Sequence, residues 1–406
     1  MAEAGSVRIL TFTTLYPGAS RPNHGIFVEN RLRHLVSTGM VQSQVVAPVP
    51  WFPLTLSAFA DYAAMARMPT REIRTGIAVM HPRYLVIPKL GMSVAPGSLF
   101  AATLPLVKRL KRQWGFDLID AHYFYPDGVA ASWLGRALDL PVVITARGTD
   151  INLIPRHRLA RRMIVDAAHR AAGIIAVSQA LKDELMALGV PQERIDVLRN
   201  GVDLEMFRPD DRVSARASLD VKGRVLLSVG HLIERKGHDI VIEALRYLPE
   251  YLLLVAGEGP ERPHLQSLAS RVGVQDRVRF LGSVAHEKLR AVYNAADALV
   301  LASSREGWPN VLLEAMACGT PVIASAVWGN PEVVSSRNAG ILMRTRTPQG
   351  VSEAANLLFG NLPGREATRA FAEKFGWNET TLGQLRLFQK ILNERTPGKS
   401  PLADMI

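Results

Sequence analysis

Short, continuous apolar runs of strand length alternate with stretches of helical period along nearly the whole chain. A strand that is apolar throughout, instead of at every second residue, must be covered on both faces, and helices between such strands supply the cover. Val7–Thr13, Ser43–Pro48, Ala78–His81, Leu118–His122, Val142–Thr145, Ile174–Val177 and Ile195–Leu198 read as one series of strands. Helical patterns at 27–38, 98–114, 128–138, 159–171 and 179–188 separate them. A second series runs through Val225–Val229, Leu252–Ala256, Val278–Leu281, Ala298–Leu301, Val322–Ala324 and Ile341–Met343, with helices at 238–247, 261–272, 286–295 and 311–317. Two such series predict two doubly wound α/β domains with parallel sheets.

The 406 residues suit that division, being long for one domain and comfortable for two. The boundary is expected between Leu198 and Pro209, where an Asn-Gly turn dipeptide and a proline redirect the chain. This gives domains over 1–200 and 201–377, the second entered through an acidic, strand-poor segment at 210–222. A last amphipathic helix is predicted at Thr380–Arg395, and the closing TPGKSPLADMI reads as frayed. Residues 51–76 have no clean period and read as an active-site flap or a surface excursion.

A hydrophobic content of 48% with 21% charge belongs to a folded protein, not a disordered one. One cysteine excludes an internal disulfide framework, and Cys318, in an apolar helix end, reads as a small core residue. The N-terminus lacks a basic segment followed by a long apolar one, and no run reaches the ~18 apolar residues of a spanning helix. A cytoplasmic protein is expected. The net charge of +11 is uneven: residues 1–200 carry 23 Lys/Arg against 14 Asp/Glu, and 201–406 carry 25 against 23. The first half therefore calls for an acidic partner, either anionic lipid headgroups or an anionic acceptor. No nucleic-acid partner is expected, because no recognised binding motif accompanies the charge.

Ligands of open parallel sheets bind beyond the carboxyl ends of the strands, so the strand-to-helix loops are the places to search. In SSREGWPNVLLEAMACGTPVI, from Ser303 to Ile323, Glu306 lies in a loop and Glu314 one turn inside the helix that follows. Free N–H groups at a helix start suit an anion such as a diphosphate, and a carboxylate further along suits ribose hydroxyls. The same pattern also fits an ordinary loop–helix–strand unit with two solvated glutamates. Gly230-His231-Leu-Ile-Glu-Arg235-Lys236-Gly237 puts two cations beside glycine at a strand end, which can clamp a diphosphate or form a solvated basic turn. In the first half, Gly25 precedes a helix where it would let backbone approach a phosphate or sugar, unless the stretch is a flexible surface loop. His122 ends an apolar strand and is expected to face the ligand side, though a lone histidine is more often a satisfied structural residue. Arg147 and Asp150 occupy the next such loop. Gly257-Glu-Gly259 lacks the third glycine of a dinucleotide fingerprint, Arg262 standing there, and no P-loop or G-x-S-x-G is present.

Taken together, VGHLIERKGHD, LLLVAGEGPERPHL, VRFLGSV, SSREGWPNVLLEAMACGTPVIAS and NPEVV, in that order, resemble the retaining glycosyltransferase family 4 (glycosyl transferases group 1) of GT-B architecture. HGIFVENR, DLIDAHY, TARGTDIN, VLRNGVDLEMFRP and FGWNETT extend the resemblance over nearly the whole chain. It implies two Rossmann-like domains facing a central cleft, with helix 378–395 crossing back to complete the first. It further implies transfer of a sugar from a nucleotide-diphosphate donor of UDP or GDP type to a glycan, lipid-linked or other acceptor, with retention at the anomeric carbon. Arg235 and Lys236 would neutralise the leaving diphosphate, helped by backbone N–H groups of Asn310 and Val311, after Pro309. Glu306 would contact sugar hydroxyls and Glu314 the ribose; Gly230, His231 and Gly257 would line the donor, and His122 would sit by the sugar. Gly25 would line the acceptor and phosphate side, with Arg147 and Asp150 as sugar-side or acceptor-side candidates. No metal or other cofactor is expected.

Two positions depart from the family pattern. His231 stands where many members have arginine, so it either shares the cationic role as imidazolium or leaves it to Arg235 and Lys236. Arg147-Gly-Thr-Asp150 replaces the common His-Gly-x-Asp, which bears on acceptor or donor-sugar preference. The helix Pro155–Arg170, with Arg156, Arg158, Arg161, Arg162 and Arg170, is either a docking face for anionic membrane or a solvated face. Another reaction of the same architecture (a nucleotide-sugar epimerase or a phosphorylase) and a catalytically silent nucleotide-sugar-binding partner are the alternatives. The joint presence of Glu306, Glu314, Arg235 and Lys236 argues against the silent partner.

Overall fold

A computed structural model of the chain describes residues 6–51, 65, 67–86 and 91–395. The chain divides into two compact units, one of Met1–Arg199 with Asn378–Ile406 and one of Asn200–Trp377. In the first unit the strands are β1 (Val7–Phe12), β2 (Val41–Val46), β3 (Val49–Trp51), β4 (Arg71–Arg74), β5 (Ile77–Met80), β6 (Arg83–Leu85), β7 (Leu118–His122), β8 (Val142–Ala146), β9 (Gly173–Ala176) and β10 (Ile195–Val197). The main sheet has the order β10-β9-β8-β7-β1-β2-β5-β4, and all neighbours are parallel except β4 with β5. The second unit holds β11 (Arg224–Val229), β12 (Tyr251–Ala256), β13 (Val278–Gly282), β14 (Ala298–Leu301), β15 (Val322–Ser325) and β16 (Gly340–Met343). Its order is β13-β12-β11-β14-β15-β16, parallel throughout.

The apolar runs dictate this arrangement. β7, β8 and β9 are buried at every residue, as are β14 and β15, so each needs helices on both faces. The helix Arg158–Arg170 shows how the cover is made: Ala160, Ile164, Ala167 and Ala168 fall on one face and are buried. The final helix, Trp377–Arg395, delivers Leu385, Leu387, Phe388 and Ile391 to the core of the first unit. Burial of each such side chain contributes about 1.5–3 kcal/mol. Gly173 admits that helix, since a Cβ there would lie 3.0 Å from Ile391 and 3.1 Å from Leu387.

Both strand series predicted from sequence are present, with ends displaced by a residue or two. Several elements went unforeseen. The helix Gly91–Gln113 starts well before the predicted 98 and contains Pro96 and Pro105. Arg212–Ser218 is a short helix inside the segment read as a linker, capped by Asp211, whose carboxylate accepts the Val213 N–H at 2.9 Å. Pro348–Gly360 and Arg365–Ala372 are helices, the first capped by Thr347 Oγ1, which accepts the Gly350 N–H at 3.0 Å. Residues 52–64 and 66 of the aperiodic segment, and TPGKSPLADMI, lie outside the described residues. Cys318 is fully buried, and burial pushes its thiol up to about 12, as befits a core residue.

Candidate functional site

In each sheet the chain first builds outward on one side and then returns to build on the other. The strands where it reverses leave a crevice at their carboxyl ends. In the second unit these strands are β11 and β14. The loops beyond them are stitched together by glycines at positive φ. Gly237 has φ 71°, and a Cβ there would lie 2.1 Å from the Ala302 carbonyl oxygen, so the turn after β11 presses on the end of β14. Ser304 N–H then donates to the Arg235 carbonyl at 2.8 Å. Gly257, at φ 151°, allows a similar approach of the loop after β12, where a Cβ would fall 1.9 Å from the Gly230 carbonyl oxygen.

That stitching brings Glu306 between two cations. Lys236 Nζ lies 2.7 Å from Glu306 Oε1 and Arg235 Nη1 3.4 Å from Oε2. The same Arg235 nitrogen donates to the Arg305 carbonyl at 2.6 Å. Glu306 is only 7% exposed. Burial alone would raise its pKa, but Lys236 and then Arg235 outweigh it and hold the carboxyl below the usual range. Lys236 packs its methylenes over Gly230, whose Cβ would be 3.5 Å from them. His231 is exposed and stands outside this ion cluster.

Glu314 is placed differently. The helix Asn310–Ala317 opens after Pro309, whose φ of −87° and ψ of 79° bend the chain so that Asn310 N–H donates to the Trp308 carbonyl at 3.1 Å. This corrects the expectation for Asn310: its N–H is already used, and Leu312 N–H donates to the Pro309 carbonyl at 3.0 Å, so the donor the helix start offers is that of Val311. Asn310 Oδ1 accepts from Asn200 at 3.3 Å, and Trp308 Nε1 donates to the Asn200 carbonyl at 2.9 Å, fixing the helix entry. Glu314 Oε2 accepts the Tyr293 hydroxyl at 2.7 Å, and Oε1 lies 3.0 Å from His286 Nε2. Burial lowers the His286 pKa, but the bond to Glu314 and its charge overcome this and raise it. Phe207 packs edge-on against both His286 and Tyr293. A carboxylate has about four lone-pair sites, so one remains on each Glu314 oxygen. Sequence reasoning missed His286 and Tyr293, because their partner lies 28 and 21 residues away.

In the first unit the reversal falls between β1 and β7. His122 ends β7, but its ring is 1% exposed and both nitrogens are engaged. Arg147 donates to Nδ1 at 2.6 Å, so the ring proton sits on Nε2, 3.3 Å from Asp120 Oδ2. Burial, working against Asp120, pushes the His122 pKa down to about 4. Gln384, from the last helix, donates to Asp120 at 2.9 Å and accepts from Arg31 at 2.8 Å. Arg31, Gln384, Asp120, His122 and Arg147 thus form one buried relay. His122 is therefore a neutral, held histidine, which matches the structural one of the two readings its position allowed.

Asp150 also departs from expectation. Fully buried, it accepts the N–H groups of Phe124 at 2.8 Å, Gly148 at 2.7 Å and Arg147 at 3.1 Å, tying the loops after β7 and β8 together. Arg147 is 8% exposed, with its guanidinium 5.4 Å from the Phe27 ring. Gly25, at φ 70°, serves close approach to the chain itself: a Cβ would lie 2.3 Å from the Leu15 carbonyl. Asp127, which sequence reasoning passed over, accepts the Thr14 N–H at 2.7 Å and hydroxyl at 3.0 Å, and burial pushes its carboxyl up to about 7. Among the described residues no group of three or more His, Cys, Asp or Glu is arranged to hold a metal, and no helix is long and apolar enough to cross a membrane.

Residues 210–375 match the family described as glycosyl transferases group 1, and residues 49–206 match glycosyltransferase family 4. A D-inositol 3-phosphate glycosyltransferase of Xylanimonas cellulosilytica is 30% identical over 369 residues, covering 83% of this chain and 87% of its own. A glycosyltransferase assigned to teichuronic acid biosynthesis in Bacillus subtilis is 29% identical, covering 86% and 88%. Among solved structures, HepE of Anabaena, in complex with UDP, superimposes with a TM-score of 0.70 at 22% identity over 95% of this chain and all of that one. The fold is GT-B.

Proposed function

Because the chain belongs to glycosyltransferase family 4, we propose that it is a retaining enzyme that takes a sugar from a UDP- or GDP-type donor. The observation that carries this reading is Glu306 held ionised between Lys236 and Arg235 at the reversal point of the second sheet. A carboxylate there occupies two cations that a diphosphate would also satisfy. On donor binding, Lys236 and Arg235 turn to the phosphates with the N–H of Val311, and Glu306 is released to hydroxyls of the sugar. Glu314, its carboxylate plane fixed by His286 and Tyr293, offers its remaining lone pairs to the ribose diol. The UDP in the HepE complex supports a nucleotide donor.

In the reaction the bond from the anomeric carbon to the phosphate oxygen breaks and a bond to the acceptor oxygen forms on the same face. The acceptor proton passes to the departing phosphate. Negative charge grows on the diphosphate, so cations already fixed beside it stabilise the transition state more than the ground state. With Arg235 and Lys236 in that role, the reaction proceeds without a metal ion. His122, neutral and engaged at both nitrogens, holds the loop at the end of β7 and is given no proton to exchange in this reading. Donor hydrolysis, followed by released nucleotide, tests the reading: it should persist in EDTA and fall sharply in Glu306→Ala. Hydrolysis equal in wild type and Glu306→Ala would overturn it.

The acceptor is read as a glycan or lipid-linked molecule at an anionic membrane. Arg156, Arg158, Arg161 and Arg162 are exposed around the first turn of helix Arg158–Arg170, with Leu159 50% exposed among them. Cations at a helix N-terminus oppose its dipole, so this placement does not serve the helix. Arg170 is paired with Asp166 at 2.8 Å and drops out of the patch. Sedimentation with vesicles of anionic lipid at low salt should carry the protein down, and failure to bind would end this part of the proposal.

A further inference from the structure

At the reversal point of the first sheet, the loop after β1, from Thr13 to Gly25, is clasped by one carboxylate from the turn after β7. Asp127 Oδ2 accepts the Thr14 N–H at 2.7 Å, the Thr14 hydroxyl at 3.0 Å and the Thr13 hydroxyl at 3.4 Å. The side chain is fully buried, and its other oxygen, Oδ1, has no hydrogen-bond partner. Among the described residues no cation pairs with it.

A carboxylate so placed is costly in its ionised form, because water is excluded, one oxygen is idle and no positive charge stands opposite. Burial accordingly raises the Asp127 pKa most; the bonds from Thr14 and Thr13 lower it, and Asp150, on the loop after β8, raises it again. Arg31 and Arg147 are engaged in the Asp120–His122 relay instead. The two sides of the clasp are unequal. The Asp127 side is rigid: Gly128 N–H donates to the Tyr123 carbonyl at 2.9 Å, and a Cβ on Gly128 would lie 2.7 Å from Ile144. The loop side can yield: residues 19–23 are exposed, and the Gly18–Arg21 bridge beside them is local. His24 Nε2, 3.2 Å from the Thr14 carbonyl, is a second tie on the same residue, and burial, then Arg21, lower its pKa.

We propose that Asp127 is a proton-operated clasp: neutral, it holds the loop after β1 against the turn after β7, and its ionisation on the alkaline side slackens that loop. The proposal goes beyond the glycosyl-transfer reading and does not depend on it. Closing the clasp takes the carboxyl from water, where its pKa is 3.8, to a place where it is about 7. The closed form therefore binds the proton more tightly, and its advantage, complete below 3.8, is lost as pH rises to about 7. Charge strengthens each bond from Thr14, but desolvation outweighs those bonds.

Hydrogen exchange of the full chain, read by mass spectrometry over residues 13–25 and corrected for intrinsic rates, tests this between pH 6 and 8. That range lies above most of the His24 titration. Wild-type protection should fall at least threefold, about tenfold being the limit for a carboxyl that regains full hydration on opening. Asp127→Asn keeps an accepting oxygen and cannot ionise, so its protection should stay constant over the same range. Thr14→Ala removes a donor that favours the ionised form, so its fall should level off at higher pH than in wild type. Wild-type protection that falls less than threefold or rises, or that falls equally in Asp127→Asn, overturns the inference. So does a Thr14→Ala profile that levels off where the wild type's does, and this arm decides the matter if Asp127→Asn does not fold.

Discussion

Replacing Lys236 by alanine leaves Glu306, 7% exposed, with Arg235 at 3.4 Å as its remaining cation. Breaking a buried pair from one side costs about 3–5 kcal/mol, because the other charge stays behind. Arg235 compensates in part, so a loss near the lower end, about 3 kcal/mol, is expected. For a unit of this size that lowers the melting temperature by roughly 6–12 °C. The pH dependence follows from the sign of the shift. The folded Glu306 pKa is depressed, so its contribution is present above the unfolded value of about 4.3 and is lost as pH falls through the folded one. Without Lys236 the folded pKa rises and the acid limb of stability moves to higher pH. Removing a fixed cation from the departing diphosphate should slow donor turnover about 10²–10³-fold. Thermal melts from about pH 2.5 to 8 and nucleotide release read both effects. An unmoved acid limb with turnover within twofold of wild type would refute the reasoning.

Gly257→Ala should lower the melting temperature sharply, because its Cβ would meet the Gly230 carbonyl oxygen at 1.9 Å and φ is 151°; about 2 kcal/mol or more is expected, checked by denaturant titration. Gln384→Leu leaves Arg31 and Asp120 without their shared partner and should cost about 1–3 kcal/mol in the same titration. Tyr293→Phe removes one of the two groups orienting Glu314 and should raise the donor KM severalfold with little change in kcat, read by steady-state kinetics. His122 should remain neutral in the folded protein down to about pH 4, followed by NMR of its ring. Because that pKa is depressed, its contribution to stability is present above the unfolded value of about 6.5 and falls away as pH drops toward 4.

The sheets were legible because apolar runs such as Val225–Val229 and Ala298–Leu301 carry their own signal over four to six residues. The Arg235–Lys236–Glu306 cluster was legible for a related reason: its members sit just beyond strand ends, where an open sheet puts its ligand. Partners set by tertiary packing were not. Gln384 reaches Asp120 across 264 positions and Arg31 across 353, and no local pattern announces either contact. Asp120 and His122 were closer to hand, since residues two apart on a strand share a face. Glycines misled in an instructive way. Gly25 and Gly257 do mark close approach, but the neighbour is the chain's own backbone. The Asp150 carboxylate likewise looked available until the N–H groups of two loops were found to claim it.

The central claim is that the Lys236–Glu306–Arg235 cluster receives the diphosphate of a nucleotide sugar. Calorimetric titration of the full chain with UDP-glucose and GDP-mannose tests it most directly. The account predicts that at least one of the two binds, and that binding is lost when Arg235 and Lys236 are both replaced by alanine in a chain that remains folded. Binding of neither nucleotide sugar, or undiminished binding by the double variant, would contradict it.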